Sequence, residues 1–176
     1  MECTKCPLSE TRKNIAFPKG STSPDVIFIG EACGREEDEQ GIPFVGRSGK
    51  LLDKWIEHLG ISNYSVTNIV WCRPPDNRTP TEDEIATCSK NNLLPYLKSV
   101  HPKFLIPLGK TATEFILDVK ITRMSLWVGM PVSFDNVTII PMYHPSFILR
   151  THYPTDHLLD QIKRNISPVR SDKRLR

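Results

Sequence analysis

The sequence predicts an α/β fold built on a mostly parallel sheet, and two observations lead to this prediction. Four short apolar runs have the length of buried strands, and helical patterns lie between them. The first three runs begin about 39 residues apart, so strand and helix alternate regularly along the chain. This alternation favours a sheet covered by helices on both faces, with a functional site at the carboxyl ends of the strands.

The apolar runs are the four predicted strands. Each is short and rich in branched or aromatic residues, which is typical of a strand that packs on both faces. They are DVIFIG (25–30), YSVTNIV (64–70), KFLIPLG (103–109) and VTIIPMY (137–143).

Three segments after these strands carry helix signals. In GKLLDKWIEHLG the apolar side chains share one face, and Gly60 marks the end of the helix. In TPTEDEIATCSKNNLLPYLKSV, Thr81 and Glu84 have the spacing of a capping box. Pro95 is expected to bend or end that helix, because proline has no amide hydrogen to donate. A third helix begins in GKTATEFIL, directly after the third strand.

Length and composition predict one domain over residues 1–167 and a basic, disordered tail over residues 168–176. The chain has 176 residues, enough for one substantial core. The tail has nothing to bury, and it is either a solvated terminus or a segment that helps to hold a polyanion.

The same numbers restrict the classes of protein. No run of about 18 apolar residues is present, so we expect no membrane partner, and the N-terminus lacks the apolar core of an export signal. We therefore expect a cytoplasmic or nucleoid-associated protein that is not secreted. The net charge of +3 permits a nucleic-acid partner without requiring one.

Polar clusters follow three of the predicted strands. GEACG comes after the first strand, Asn68 and CRPPDNR lie at the end of the second, and YHPS comes after the fourth. Because the carboxyl ends of parallel strands meet at one edge of a sheet, we expect these clusters to form a single site.

Four of the five cysteines form two pairs with the spacing of metal ligands. Cys3 and Cys6 make a C-x2-C pair, whereas Cys72 follows a strand and Cys88 lies in the next helix. Four thiolates suit a tetrahedral zinc ion or a [4Fe–4S] cluster. The wide second pair favours iron–sulfur, but spacing alone leaves zinc, or four unrelated buried thiols, as alternatives. The fifth, Cys33, is interpreted as a small residue in a tight loop.

The motifs together resemble the family 4 uracil-DNA glycosylases, the iron–sulfur-containing branch of the uracil-DNA glycosylase superfamily. The resemblance extends from Cys3 to about Arg164. The stretches that carry it, in order, are GEACGREEDEQGIPFVGRSGKLLD, TNIVWCRPPDNRTPTEDEIATC, PLGKTATEF and PMYHPSFILR.

The resemblance implies a three-layer α/β/α fold around a four-stranded parallel sheet. It also implies a [4Fe–4S] cluster on Cys3, Cys6, Cys72 and Cys88, which would decide the metal question in favour of iron. The sequence departs from the family pattern at Cys33, where the family usually has proline, and at Trp71, where lysine is frequent.

The activity implied by the resemblance is hydrolysis of the bond between uracil and deoxyribose in single- or double-stranded DNA, leaving an abasic site. The base must first be flipped out of the duplex. Phe44 would stack on it, Asn68 would pair with its O4 and N3–H, and Gly30 and Ala32 would lie against it. His144 would donate a hydrogen bond to O2 as negative charge develops there.

Two further roles follow from the resemblance. Ser146 would begin a segment that inserts into the minor groove, with Leu149 or Arg150 filling the space left by the base. For the attacking water, Glu31 is the first choice because it directly follows an apolar strand. Asn77 and Glu37 are second choices.

Other functions stay open at this point. The chain could be a glycosylase of the same fold for another deaminated base, hypoxanthine or xanthine. It could also be a non-catalytic nucleic-acid-binding module with a structural metal cluster. Lyase activity is not expected, because no lysine in the three clusters is an obvious former of a Schiff base. We expect a monomer.

Overall fold

The structure, a computed structural model, describes residues 3–166, so the predicted tail at 168–176 lies outside the described residues. The strands are β1 Lys19–Gly20, β2 Val26–Ala32, β3 Tyr64–Val70, β4 Phe104–Pro107, β5 Val132–Phe134 and β6 Val137–Ile139. The helices are α1 Leu8–Thr11, α2 Arg35–Gln40, α3 Arg47–Leu59, α4 Glu82–Cys88, α5 Leu94–Val100, α6 Lys110–Leu117, α7 Pro145–Thr151 and α8 Asp156–Ile166.

The strands form one six-stranded sheet in the order β1-β3-β2-β4-β6-β5. The four inner strands are parallel and correspond to the four predicted runs, which confirms the predicted fold class. The outer strands β1 and β5 pair antiparallel with their neighbours and extend the predicted four-stranded sheet to six. Neither was predicted, because strands of two and three residues are too short to show a period-2 pattern.

Helices cover both faces of the sheet, so the three-layer arrangement is confirmed. Along β2, Phe28 packs into one core with residues of α3, α7 and α8. Ile27 and Ile29 pack into a second core, which includes residues of α1, α5 and α6. Successive side chains of a strand point to opposite faces, so one apolar run supplies both cores.

The helix signals appear where the sequence placed them. Gly60 ends α3 in the left-handed conformation, with φ 66°. At the start of α4, Thr81 Oγ1 accepts a hydrogen bond from the Glu84 amide, and the Glu84 carboxylate accepts one from the Thr81 amide. The helix then passes through a π-helical turn, Ser89–Leu93, directly before Pro95 in α5. The helical path therefore continues past Pro95, and the irregular turn lies just before it.

The register of the parallel strands determines which residues meet at the carboxyl edge. Gly30 near the end of β2 pairs with Asn68 of β3. Beyond β4, Leu108 bridges to Met142, which lies two residues before His144. Residues from three predicted polar clusters are thus brought to the same edge. Within residues 3–166, no helix is both long enough and apolar enough to span a bilayer.

Candidate active site

A cavity of about 770 Å³ lies at the carboxyl edge of the sheet. Its size is in the range of pockets that enclose a small organic molecule. The structure brings nine of the predicted site residues into its lining: Glu31, Ala32, Glu37, Phe44, Asn68, Asn77, His144, Ser146 and Arg150. The roles predicted for these side chains stay predictions.

Phe44 occupies the floor of this cavity in an unusual backbone conformation. Its φ is +53°, a region that non-glycine residues rarely adopt, and its side chain is buried. The Lys19 ammonium donates a hydrogen bond to the Phe44 carbonyl at 3.0 Å. A side chain at Gly49 would overlap the same carbonyl, so glycine is needed at this first turn of α3.

Gly30 lies directly beneath Phe44 and Asn68, although it is not itself among the residues that line the cavity. A Cβ atom at position 30 would come within 2.6 Å of the Phe44 ring and would also meet the Asn68 amide oxygen. The absence of a side chain at Gly30 therefore lets the ring and the amide lie side by side.

Glu37 holds the loop that carries Phe44. Its carboxylate accepts three backbone hydrogen bonds, from the amides of Gly34, Val45 and Gly46, at 3.0–3.1 Å. Sequence reasoning named this glutamate as a second choice for positioning water. In the structure, one carboxylate oxygen accepts from Gly34 and the other accepts from Val45 and Gly46. These contacts tie the segment after β2 to the loop that carries Phe44.

Asn68 is buried in β3 with its carboxamide at the cavity wall. Its Nδ2 atom lies 3.7 Å from the Cys33 sulfur, in donor geometry. The backbone carbonyl of Asn68 accepts a hydrogen bond from the Trp71 indole at 3.0 Å. Asn68 is thereby held through its side-chain nitrogen by Cys33 and through its backbone carbonyl by Trp71, and it lines the cavity.

His144 stands at the start of α7 and caps that helix. Its Nδ1 atom accepts hydrogen bonds from the Ser146 amide at 3.1 Å and from the Ser146 hydroxyl at 2.8 Å. Because a backbone amide can only donate, Nδ1 carries no proton, and in the neutral ring the proton is on Nε2. The ring centroids of Phe44 and His144 are 6.0 Å apart, so the two rings border one space.

Electrostatics keep this imidazole neutral. Burial, and secondarily the Arg150 guanidinium, lower the pKa of His144 from 6.5 to about 4. At neutral pH the site thus contains a neutral imidazole with its N–H free to donate into the cavity.

The candidates for holding water differ in their surroundings. Asn77 accepts a hydrogen bond from Arg73 Nε at 2.8 Å on an exposed turn. The Glu31 side chain lines the cavity, and among residues 3–166 it has no hydrogen-bond or ion-pair partner. Glu31 therefore has unused acceptor capacity, as does Glu36, a lining carboxylate on α2 that is more exposed.

The rim of the cavity is basic. Six cationic side chains line it: Arg35, Arg47, Arg73, Arg78, Lys110 and Arg150. Arg78 is engaged by Glu84 through two hydrogen bonds of 2.7 and 2.8 Å. Lys110 lines the cavity, but its ammonium lies 3.8 Å from the Glu114 carboxylate. Leu149 lies on α7 outside the lining residues.

The four cysteines with ligand spacing meet at a second, smaller hollow. Cys3, Cys6, Cys72 and Cys88 all line it. N–H groups point at two of the sulfurs: Arg12 lies 3.6 Å from Cys72 Sγ, and the Trp71 amide lies 3.4 Å from Cys88 Sγ. Such contacts suit sulfur atoms that carry negative charge.

Within residues 3–166, no group of three or more His, Cys, Asp or Glu side chains has the geometry to hold a metal ion. The ligand set therefore stays a prediction. The hollow brings together four thiols from two distant segments of the chain. Its lining residues include no carboxylate and no imidazole.

Sequence reasoning missed the residues that hold Phe44 in place. Lys19 belongs to a two-residue strand, and Gly49 lies inside a helix, so neither carries a local signal of function. The glycines at positions 46 and 49, around the start of α3, are the one local feature that could have indicated a close backbone approach.

The fold and the cavity define an α/β protein in which an aromatic ring and an imidazole border a cavity with a basic rim at the carboxyl edge of the sheet. A family model described as the Uracil DNA glycosylase superfamily matches residues 17–164. The chain is 40% identical to the type-4 uracil-DNA glycosylase of Thermotoga maritima over 152 residues, 85% of this chain and 79% of that protein.

Two archaeal proteins of the same name are also similar. The Archaeoglobus fulgidus protein is 35% identical, over 89% of this chain and 85% of the relative. The Saccharolobus solfataricus protein is 37% identical, over 98% of this chain and 83% of the relative. The chain therefore belongs to the uracil-DNA glycosylase superfamily and, within it, to the type-4 uracil-DNA glycosylases.

The lowered pKa of His144 generates a prediction about pH. In the folded protein His144 should titrate near pH 4, and the neutral ring should carry its proton on Nε2. Replacing Arg150 by alanine removes a neighbouring positive charge and should raise this pKa, whereas Arg150→Lys should leave it low. Imidazole nitrogen shifts followed by NMR from pH 3 to 8 measure both. A wild-type ring that titrates near 6.5 would contradict the prediction.

The three-amide contact generates a prediction about the loop. Glu37→Gln removes the charge and leaves one acceptor oxygen in place of two, so the amides of Gly34, Val45 and Gly46 compete for a single neutral acceptor. Their hydrogen exchange should accelerate by about tenfold or more, in keeping with one lost charge-assisted bond. Glu36→Gln is the matched control, since Glu36 is an exposed neighbour on α2. Equal hydrogen-exchange rates at these amides in both variants would show that the Glu37 carboxylate does not hold the loop.

Proposed function

We propose that this protein removes uracil from DNA by hydrolysing the bond between the base and the deoxyribose, without cutting the strand. The observation that carries the proposal is that Phe44, Asn68 and His144 line one cavity. These three side chains come from segments far apart in the chain. Together they supply a stacking surface, a hydrogen-bonding edge and a donor for negative charge.

Recognition of the base begins with its removal from the duplex. Flipping costs a few kcal/mol, and least where uracil is mispaired with guanine. Once inside, the ring would stack on Phe44 with its O4 and N3–H facing Asn68. A carboxamide matches this pair of groups with one donor and one acceptor. Cytosine presents the opposite pair, which would leave two buried polar groups unsatisfied.

Bond cleavage leaves negative charge on the departing uracil. The Nε2–H of His144 would donate to O2 as that charge develops, because the other ring nitrogen is engaged by Ser146. A neutral imidazole can serve as this donor without giving up its proton. Ser146 thus acts through His144, and it holds the ring in one tautomer and one orientation.

The water that attacks the sugar needs an acceptor nearby. Glu31 is the carboxylate we assign to this task, because it lines the cavity at the end of β2 and has no side-chain partner among residues 3–166. Glu36, which also lines the cavity without a partner, is more exposed on α2. Glu37 is assigned to holding the loop, and Asn77, bound to Arg73, to shaping the opposite rim. Ala32 borders the base, because it too lines the cavity.

The basic rim would receive the phosphates on either side of the flipped nucleotide. Exposed arginine and lysine side chains attract DNA through counterion release, whatever its sequence. On α7, Arg150 lines the cavity and is exposed, so it suits the space that the base vacates. Leu149 lies outside the lining and would contact the neighbouring base step. The substrate would be uracil-containing DNA, single- or double-stranded.

The hollow with four cysteines would hold a [4Fe–4S] cluster through Cys3, Cys6, Cys72 and Cys88. The donor set fits, since iron–sulfur clusters are bound by four thiolates. When bound, such a cluster crosslinks the N-terminal segment to β3 and α4, which is a structural contribution. The residues of the cavity carry out recognition and hydrolysis without it.

The protein is further proposed to act as a monomer wherever the chromosome is accessible, in the cytoplasm or at the nucleoid. The cavity is complete within one chain, because all its lining residues belong to residues 31–150.

The decisive experiment is an excision assay. Oligonucleotides with one uracil, incubated with the protein and then treated with alkali, should break at that position. Asn68→Asp should lower the rate by about a hundredfold, because a carboxylate repels O4. His144→Ala should lower it by roughly a hundredfold to a thousandfold. His157→Ala, an exposed histidine on α8, is the matched control.

The outcomes separate the alternatives. A wild-type protein that leaves uracil intact but breaks hypoxanthine or xanthine oligonucleotides would point to a different base. Binding to DNA with no base release would point to a non-catalytic module. Strand breaks before alkali treatment would contradict a monofunctional glycosylase.

The cluster generates a separate prediction. Protein purified without air should be brown and contain about four iron and four sulfide ions per chain, as the cluster type requires. Cys88→Ser should lose most of the iron, whereas Cys33→Ser should keep it, because Cys33 lines the other cavity. Stoichiometric zinc in place of iron would contradict the assignment.

A further inference from the structure

We propose that Cys33 determines which way round the Asn68 carboxamide faces the cavity, and thereby favours uracil over cytosine. The inference rests on the proposed function, in which Asn68 reads the edge of the base. Cys33 would be a positioning residue, since it acts through Asn68.

The contacts of the thiol are few and directional. Cys33 follows directly after β2, is 3% exposed, and lines the cavity. Its sulfur lies 3.8 Å from the Val70 carbonyl oxygen, to which it donates. The same sulfur lies 3.7 Å from Asn68 Nδ2, from which it accepts. The thiol thus forms a link between the end of β3 and the amide in the middle of the site.

A thiol has one proton, and this fact gives the link its direction. Burial raises the pKa of the Cys33 thiol, so the proton stays on sulfur. With that proton directed at Val70, the sulfur offers Asn68 only lone pairs. An amide nitrogen facing the sulfur is then favoured. The amide oxygen in that position would bring two sets of lone pairs together.

No second contact competes for the carboxamide. Among residues 3–166, the Cys33 sulfur is the one hydrogen-bonding partner of the Asn68 side chain. With the nitrogen on the Cys33 side, the oxygen lies above Gly30 beside the Phe44 ring. The orientation of the amide in the free protein therefore depends on a single neighbour.

The two orientations of the amide suit different bases. A donor on the Cys33 side and an acceptor above Gly30 match O4 and N3–H of uracil. The opposite orientation presents an acceptor and a donor, which match the amino group and N3 of cytosine. A thiol that biases the free amide toward the first orientation pre-organises the site for uracil and adds an energetic cost to cytosine.

The position is also one where this chain departs from the pattern it resembles. A proline at residue 33 has no side-chain donor or acceptor, so it could fill the space without orienting the amide. Orientation of the Asn68 carboxamide by a thiol thus depends on the cysteine at position 33 of this sequence, and substitutions of Cys33 can test it.

The experiment compares Cys33→Val, which is similar in volume and apolar, with Cys33→Ser, which keeps one donor and one acceptor. Affinity is measured for oligonucleotides bearing 2′-fluoro-uridine or 2′-fluoro-cytidine opposite guanine, which resist cleavage. In Cys33→Val the preference for uridine should narrow by about tenfold, the effect of one lost hydrogen bond in a closed site. Cys33→Ser should restore most of it, and the cleavage step at saturating uracil substrate should change less than the affinity.

A measurement on the free protein tests the same inference without any activity. The two Asn68 Nδ2 protons should give distinct, slowly exchanging NMR signals in the wild type, assigned by their loss in Asn68→Asp. Cys33→Val should speed their exchange with water, and Cys33→Ser should slow it again. This measurement remains decisive even if the wild type proves to act on another base.

The results distinguish a failure of the proposed function from a failure of the inference about Cys33. A wild type that does not bind or excise uracil would overturn the proposed function. A Cys33→Val protein with the wild-type uridine preference and unchanged amide signals would overturn the inference, whatever its activity. A Cys33→Val protein that only melts at a lower temperature would overturn it as well, because the role would then be packing alone.

Discussion

The candidate active site depends on the absence of a side chain at Gly30. The parallel register pairs this residue with Asn68, and the missing side chain lets Phe44 and the Asn68 amide lie over the strand. The ring reaches that position only because its backbone is held in the left-handed region, with φ +53°. Lys19 bonds the carbonyl of Phe44, and Glu37 bonds the two amides that follow it. Strain at this candidate site residue is thus balanced by contacts from two other elements of the fold, β1 and α2.

The charges of the site are arranged in two zones. The interior has a neutral imidazole beside an aromatic ring, because burial lowers the pKa of His144. The rim carries the cations that a phosphate backbone needs. Glu31 lines the cavity, and its carboxylate has no partner among the described residues. A flat neutral base can enter the interior while its charged backbone stays outside, which is what excision of a flipped base requires.

The N-terminal segment links the cavity to the hollow with the four cysteines. The buried Asp38 of α2 accepts hydrogen bonds from the amides of Lys13 and Asn14, and Leu8 is buried in the second core. The segment is therefore anchored by packing and hydrogen bonds even before any metal is considered. Cys72 and Arg73 are neighbours in sequence, so the loop after β3 contributes to the hollow on one side and to the cavity on the other.

The sequence by itself determined the four parallel strands, the capping box of α4 and the three polar clusters, because each depends on residues that are close together in the chain. Apolar runs report burial, and Thr81 and Glu84 report a helix start, whatever lies elsewhere. Only the tertiary structure decided which side chains touch. Glu37 looked like one loop carboxylate among five, and its three backbone bonds depend on how the loop folds back. Lys19 and Phe44 are 25 residues apart, and Cys33 and Asn68 are 35 apart. Their contacts arise from the packing of the sheet, which local pattern does not encode.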